Sequence, residues 1–382
     1  MRILYDHQTF ALQDIGGVSR CFAELYKNLP REINACISVQ ESDNVYIKEL
    51  NITGIRPKRN GINHFICRSP FPGKWHLYTW YQKICKNKEH IDLNLIHSIK
   101  QLEKGEFDIF HPTYYSDYFL PYLKGKPFVL TIHDMIPELY PQFFKPDDFQ
   151  IAMKRKLAPL AKAIIAVSEN TKQDIIRLLN IPEEKIHVVY HGSSLTTPST
   201  IHSTYKFPYL LYVGDRFGYK NFTSFVKQVT PVLKDYKRLH VICTGHPFKK
   251  EEKKMLKEHG VYNQFISTWA KTDKELYTLY HNAECFIYPS DYEGFGIPIL
   301  EAYQADCPVL LNRASCFPEI AKDAAIYFDI NSNDNDLENS LKSFFSMETN
   351  EKKALLIKQR ARLADFSWKE SAEKLAKIYN SL

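Results

Sequence analysis

Short apolar runs of strand length alternate with segments of helical period along nearly the whole chain. In the first half, strand candidates fall at 2–6, 34–39, 107–111, 127–133, 163–167 and 186–190. In the second they fall at 209–213, 238–243, 284–288, 308–312 and 325–328. After the first strand and a long loop, Val18, Phe22, Leu25 and Leu29 share one helical face. Further helices are expected at 150–161, 170–179, 221–234, 248–258, 273–281, 297–304, 335–346 and 350–363. Either Ser168 or Asn170 can cap the helix at 170–179. Ser367 and Glu370 have capping-box spacing at the start of a last amphipathic helix. Strands separated by helices predict parallel sheets covered on both faces. Residues 193–207 are rich in Ser and Thr and lack periodicity, so they read as a linker. A chain of 382 residues exceeds one ordinary core, so the expected fold is α/β with two doubly wound domains, 1–195 and 205–365.

Composition narrows the classes. The chain is 44% hydrophobic and 25% charged, as in globular proteins, and no apolar run approaches membrane-spanning length. Asp6 comes too early for a signal peptide. Eight scattered cysteines without a CxxC pair read as free thiols in a reducing compartment, with neither a disulfide framework nor a zinc site. A net charge of +6 suits phosphate-bearing ligands or an anionic membrane face and does not by itself indicate nucleic acid. Residues 71–88 mix Lys74, Lys83, Lys86 and Lys88 with Trp75, Tyr78, Trp80 and Tyr81. Such a helix either lies in a membrane interface or packs its aromatics on the first domain.

The most informative stretch is 290–302. An apolar run, Cys285-Phe286-Ile287-Tyr288, leads into a loop with Glu293, Gly294 and Gly296, and Pro298 fits the first turn of the following helix. Glycines let backbone approach a ligand, and the N–H groups of a helix start favour an anion. Glu293 and Glu301, eight apart, are acceptors for sugar hydroxyls. The stretch reads as a site for a sugar joined to phosphate; an ordinary strand–loop–helix joint is the other reading. A second loop, Gly214 to Lys220, carries Arg216 and Lys220 after the strand at 209–213. Two cations there suit a diphosphate. In parallel sheets ligands sit at strand carboxyl ends. His111, His133 and Asp134 fall at such ends, and Gly16-Gly17 precedes a helix after strand one.

Together these pieces resemble the retaining GT-B glycosyltransferases of the glycogen synthase and bacterial O-antigen mannosyltransferase type. Glu293-x7-Glu301 within Tyr-Glu-Gly-Phe-Gly-Ile-Pro-Ile-Leu-Glu-Ala is similar to that family's EX7E motif. Cys307-Pro308-Val309, Phe317-Pro318-Glu319-Ile320-Ala321, Asp323-Ala324-Ala325, Gly16-Gly17-Val18-Ser19-Arg20 and the segment Thr131 to Pro137 resemble further family segments. The resemblance implies two Rossmann-like domains facing across a cleft, with a final helix, 366–382, packing back on the first. It implies that Glu301 bonds ribose hydroxyls and Glu293 the donor sugar. Arg216 and Lys220 would neutralise the diphosphate. Gly16, Gly17, Phe295 and Gly296, beside Gly294, would meet phosphates, and His133, next to Asp134, would lie near the transferred sugar. Many relatives have the arginine directly after Val-Gly; here Asp215 intervenes.

The implied reaction is metal-independent and cofactor-free transfer of a hexose from a nucleotide-diphosphate sugar with retention of configuration. It fits the absence of a convincing Asp-x-Asp metal motif. GDP-mannose is the first donor expected, with UDP-hexoses and dTDP-rhamnose next. The acceptor is a glycan or lipid-linked oligosaccharide in surface polysaccharide synthesis. The location is cytoplasmic, on the inner membrane face if 71–88 touches lipid. A sugar-nucleotide epimerase or phosphorylase on the same fold, or a non-catalytic nucleotide-sugar-binding module, are the rivals. Incubation with a sugar nucleotide separates transfer, isomerisation and binding.

Overall fold

The computed structural model describes residues 1–58, 92–203 and 205–382, so the basic-aromatic segment 71–88 lies outside the described residues. The chain divides into two compact units. The first comprises Met1–Thr131, Met153–Ile164 and Ala372–Leu382; the second comprises Ile132–Ala152 and Ile165–Ser371.

In the second unit six strands form one parallel sheet. They are β7 (Tyr209–Tyr212), β8 (His240–Thr244), β9 (Phe265–Thr268), β10 (Cys285–Tyr288), β11 (Val309–Asn312) and β12 (Ile326–Phe328). Their order is β12-β11-β10-β7-β8-β9. This is the doubly wound Rossmann order, with its switch point between β7 and β10. Alternate side chains enter opposite cores, as the strand period requires. Tyr209, Leu211, Phe286, Val309 and Leu311 pack with Ile299, Leu300 and Tyr303 on one face. Leu210, Tyr212, Cys285, Ile287 and Leu310 pack with Phe225, Val229 and Leu337 on the other. Burial on both faces explains why these strands are nearly continuous apolar runs.

The first unit holds β1 (Arg2–Tyr5), β2 (Asn34–Ile37) and β3 (Ile109–His111) in the parallel order β2-β1-β3. A bridge pairs Phe110 with Phe128 at the entry to β4 (Val129–Ile132). A third sheet has the order β4-β5-β6, with β5 at Ala163–Ala166 and β6 at Ile186–Val188. The division between units falls inside β4 and β5. At the end of β1, buried Asp6 accepts the Thr113 N–H and hydroxyl at 2.8 and 2.7 Å and the Gln8 side-chain amide at 2.7 Å. The last turns of helix Trp368–Asn380 deliver Tyr379 to this core, 2.7 Å from the Tyr5 hydroxyl.

Several elements differ from the sequence reading. β9 was not expected, because Ser267 and Thr268 dilute its apolar run; it is an edge strand with only Phe265 buried. Helix Gln8–Leu12 occupies part of the expected long loop. Helix Leu93–Lys104, capped by Asp92 and ended by Gly105 at φ +69°, was also missed. Ser168, and not Asn170, caps helix Glu169–Leu179 by accepting the Thr171 N–H at 3.0 Å. Among the described residues no helix is long and apolar enough to cross a membrane.

Candidate active site

The switch point of the six-stranded sheet brings two loops together. One leaves β7 and the other leaves β10, so both emerge at strand carboxyl ends beside each other. Lys220, at the end of the β7 loop, donates to Glu293 Oε1 at 2.5 Å. The two side chains are 17% and 12% exposed, so the pair is sheltered yet open to a ligand. Local structure fixes each partner. Tyr212 donates its hydroxyl toward the carbonyls of Asp215 and Lys220 at 2.9 and 3.2 Å, folding the β7 loop back on its own strand. Asn221 at φ +54° turns the chain into helix Phe222–Asp235 and donates to Pro289 O at 3.1 Å. The Glu293 backbone is held by Ser315, which donates to its carbonyl at 2.7 Å and accepts its N–H at 3.2 Å. Asn312, ending β11, donates to Ser290 O at 3.0 Å.

The glycines after Glu293 have separate causes. A Cβ on Gly294 would lie 1.8 Å from the His133 carbonyl oxygen and 3.3 Å from Asp134 Cβ. The Gly294 carbonyl accepts the hydroxyls of Ser168 at 2.6 Å and Thr171 at 3.2 Å. Gly296 adopts φ +89°, a left-handed conformation that favours glycine. It begins helix Ile297–Gln304, whose start has Pro298 and no side-chain cap. Pro298 has no N–H and Ile299 donates to Gly296 O at 2.9 Å, so the N–H groups left for an anion are those just ahead of them, at Gly296 and Ile297. Glu301, on that helix, is 6% exposed and accepts the Tyr280 hydroxyl at 3.1 Å. Burial, and then the Glu301 carboxylate, hold the Tyr280 phenol well above its usual range, so it remains the donor.

Other expected residues are used differently. Arg216 donates from Nε to Glu252 Oε1 at 2.8 Å and from Nη2 to His246 O at 2.6 Å. Asp134 Oδ1 accepts the Ile136 N–H at 3.0 Å and shapes the turn into helix Ile136–Leu139. Phe295 is buried against His191, with ring centroids 4.9 Å apart. Burial, then His133, lower the His191 pKa to about 3, so this imidazole is neutral near pH 7. Gly16 and Gly17 lie in the first unit. Gly16 caps helix Gly17–Asn28 in extended backbone, where a Cβ would meet Gln13 Oε1 at 2.2 Å. His111 is fully buried between the Tyr379 hydroxyl at 2.6 Å and Thr131 at 2.8 Å, a core histidine of the first unit. Asp334-Asn335-Asp336 has an Asp-x-Asp spelling, but Asp336 Oδ2 accepts the Asp329 N–H at 2.8 Å at a helix start.

Sequence reasoning missed Ser168, Thr171, Ser315, Tyr280, Glu252 and Glu319. Glu319 accepts the N–H groups of Glu169 and Asn170 at 2.7 and 3.0 Å, so a helix far along the chain depends on it. Ser168 carried a signal as a cap candidate, and Glu319 lay in a segment that resembles the family, with no role read from it.

Two family descriptions match this chain. Glycosyltransferase Family 4 covers residues 15–196, and Glycosyl transferases group 1 covers residues 200–364. The chain carries two glycosyltransferase domains. Among curated relatives, the O-antigen chain mannosyltransferase RfbU of Salmonella typhimurium is 28% identical over 54% of this chain and 58% of its own length. O-antigen chain mannosyltransferase B of Escherichia coli is 27% identical over 70% of this chain and 73% of its own. Among solved structures, Anabaena HepE in complex with UDP and glucose aligns over the full length of both chains, with a TM-score of 0.70 and 17% identity. The chain thus has the expected α/β, two-domain architecture, with the GT-B fold that the family resemblance implied.

Proposed function

We propose that this glycosyltransferase moves a hexose, mannose first, from a nucleotide-diphosphate sugar to a glycan or lipid-linked oligosaccharide in surface polysaccharide synthesis. The observation that carries the reading is the Lys220–Glu293 pair at the switch point, beside an uncapped helix start. A cation and N–H dipoles suit a diphosphate, and a carboxylate held beside them suits sugar hydroxyls. The names of the two O-antigen mannosyltransferases support mannose and the pathway, and UDP with glucose in HepE supports a nucleotide-sugar donor.

In this reading the bond from the anomeric carbon to the diphosphate oxygen breaks through an oxocarbenium-like transition state. Lys220 and the N–H groups of Gly296 and Ile297, at the start of helix Ile297–Gln304, stabilise charge growing on the leaving phosphate. Glu293 orients the sugar, and Glu301 takes the ribose hydroxyls. His133 and Asp134, whose backbone lies against Gly294, border the donor. The acceptor hydroxyl attacks from the face the leaving group vacates and passes its proton to the departing phosphate oxygen, which retains configuration without a protein nucleophile. Positive charge from the chain itself makes a metal unnecessary in this scheme.

A thermal-shift panel of GDP, UDP, dTDP and their sugars, without added metal, tests the proposal. A ligand that binds the native state raises the midpoint by mass action. One nucleotide standing out names the donor; no shift with any of them overturns the reading. Glu301→Ala removes a charged acceptor and leaves the Tyr280 hydroxyl without it. The expected result is roughly 10–100-fold weaker binding of the free nucleoside diphosphate, from the ~1.5–3 kcal/mol of a charged hydrogen bond. Equal affinity of variant and parent would remove Glu301 from the ribose.

A further inference from the structure

Arg216 stands in the β7 loop four positions before Lys220, yet its surroundings are unlike those of Lys220. Its side chain is 5% exposed. Glu252 takes Nε at 2.8 Å and Nη2 at 3.4 Å, a fork that fits a carboxylate. Nη2 also reaches the carbonyls of His246 at 2.6 Å and Pro247 at 3.3 Å. Phe248 and Phe222 stack near the guanidinium at 4.9 and 5.6 Å. Glu252 is itself fixed: its Oε2 accepts the Lys249 N–H at 2.6 Å and closes the capping box of helix Lys250–Glu258. One guanidinium therefore ties three pieces together: the loop after β7, the loop after β8 and the helix that follows. Both loops turn near their start on a glycine at positive φ, Gly214 at +112° and Gly245 at +116°. Beyond Arg216 the β7 loop is pinned again by Tyr212 and ends at the Lys220–Glu293 pair.

We propose that Glu252 is a positioning residue for donor binding: it holds Arg216 as a strut that sets the loop presenting Lys220, and Arg216 is not itself a phosphate ligand. The inference rests on the nucleotide-sugar reading of this site. A phosphate reaching Arg216 would have to displace a sheltered, doubly bonded carboxylate that the helix cap holds in place. Leaving such a carboxylate unpaired is unfavourable. Lys220 is the more accessible cation, its side chain 17% exposed against 5% for Arg216.

The two roles give opposite signs. If Arg216 binds phosphate and Glu252 competes for it, Glu252→Gln frees the cation and tightens nucleoside diphosphate binding. If Arg216 is a strut, the same change loosens the loop and weakens binding. Titrations of GDP, UDP and dTDP into the parent, Glu252→Gln, Arg216→Met, the double variant and Arg216→Lys decide between them. The strut predicts about tenfold weaker binding for Glu252→Gln, the scale of a small misplacement of a binding group. It also predicts that the double variant is no weaker than Arg216→Met alone, because both changes break one connection. Arg216→Lys keeps the charge but loses the fork, so it should weaken binding like Arg216→Met. Unchanged or tighter binding by Glu252→Gln, or full affinity in Arg216→Lys, overturns the inference. A parent that binds none of the three nucleotides overturns the donor reading and this one with it. A parent that binds, with Glu252→Gln unweakened, overturns this inference alone.

Discussion

Lys220→Met is expected to lower kcat by about 10²–10³-fold, the usual cost of removing one group aimed at charge that develops in the transition state. The methionine keeps most of the stem and deletes only the ammonium. On the proposed reading, charge on the leaving diphosphate then meets the helix start of Ile297–Gln304 without its cation. The KM for the donor should rise less than kcat falls, because the phosphate is more negative in the transition state than in the bound donor. A second effect runs through stability. Glu293 is 12% exposed and loses its partner at 2.5 Å. Breaking a buried pair costs up to about 3–5 kcal/mol, and residual exposure on both sides lowers the figure here. The double variant Lys220→Met/Glu293→Gln separates the two effects. It should recover most of the unfolding midpoint and none of the activity. Stopped assays on both variants, with unfolding curves alongside, give the comparison. Retention of kcat within a few-fold in Lys220→Met would remove the lysine from the leaving group.

How much of this was legible follows from what the sequence encodes locally. The six-stranded sheet was readable because β7, β10 and β11 are buried on both faces and therefore spelled as unbroken apolar runs. The edge strand β9 was not, because an edge needs only Phe265 inside and carries Ser and Thr elsewhere. The loops were readable for a similar reason. Gly296 and Pro298 have backbone requirements that few other residues satisfy, so their types announce a turn and a helix start. The partners were silent. Nothing near Arg216 in the chain announces that Glu252, thirty-six residues on, would take its guanidinium. Ser315 and Glu319 likewise act on Glu293 and on helix Glu169–Leu179 across the sheet's turns. Side-chain types mark which residues can do chemistry, but tertiary pairing decides which of them face a ligand. The strand order made the decisive difference here. It alone puts the β7 and β10 loops side by side, and no local pattern states it.

Gly294→Ala is the other change with a large expected effect, and its cause is steric. The added methyl would sit 1.8 Å from the His133 carbonyl oxygen and 2.9 Å from its carbonyl carbon, both backbone atoms that cannot rotate away. The loop cannot retreat freely either. Its Gly294 carbonyl is held by Ser168 and Thr171, and the neighbouring Glu293 backbone is held by Ser315. Either the 133–134 backbone moves or the 293–296 loop moves, by an ångström or more. Overpacking of this kind costs about 1–3 kcal/mol of stability. The catalytic loss should be larger, because the displaced loop carries Glu293 and leads into the helix bearing Glu301; a shift of about 1 Å can cost ~10²-fold in rate. Two other glycines calibrate the result. Gly296→Ala meets only side chains, Ile299 and Phe317 at 3.1 and 3.2 Å, but must hold φ +89°. It should cost about 1–2 kcal/mol, the usual penalty for a left-handed residue with a Cβ. At Gly17 a Cβ meets nothing within 4 Å, so its replacement by alanine should be near neutral in stability. The expected order of damage in activity is therefore Gly294, then Gly296, then Gly17. Should Gly294→Ala match the parent in kcat and unfolding midpoint, the close approach of the two backbones would be wrong, and with it the placement of His133 and Asp134 beside the Glu293 loop.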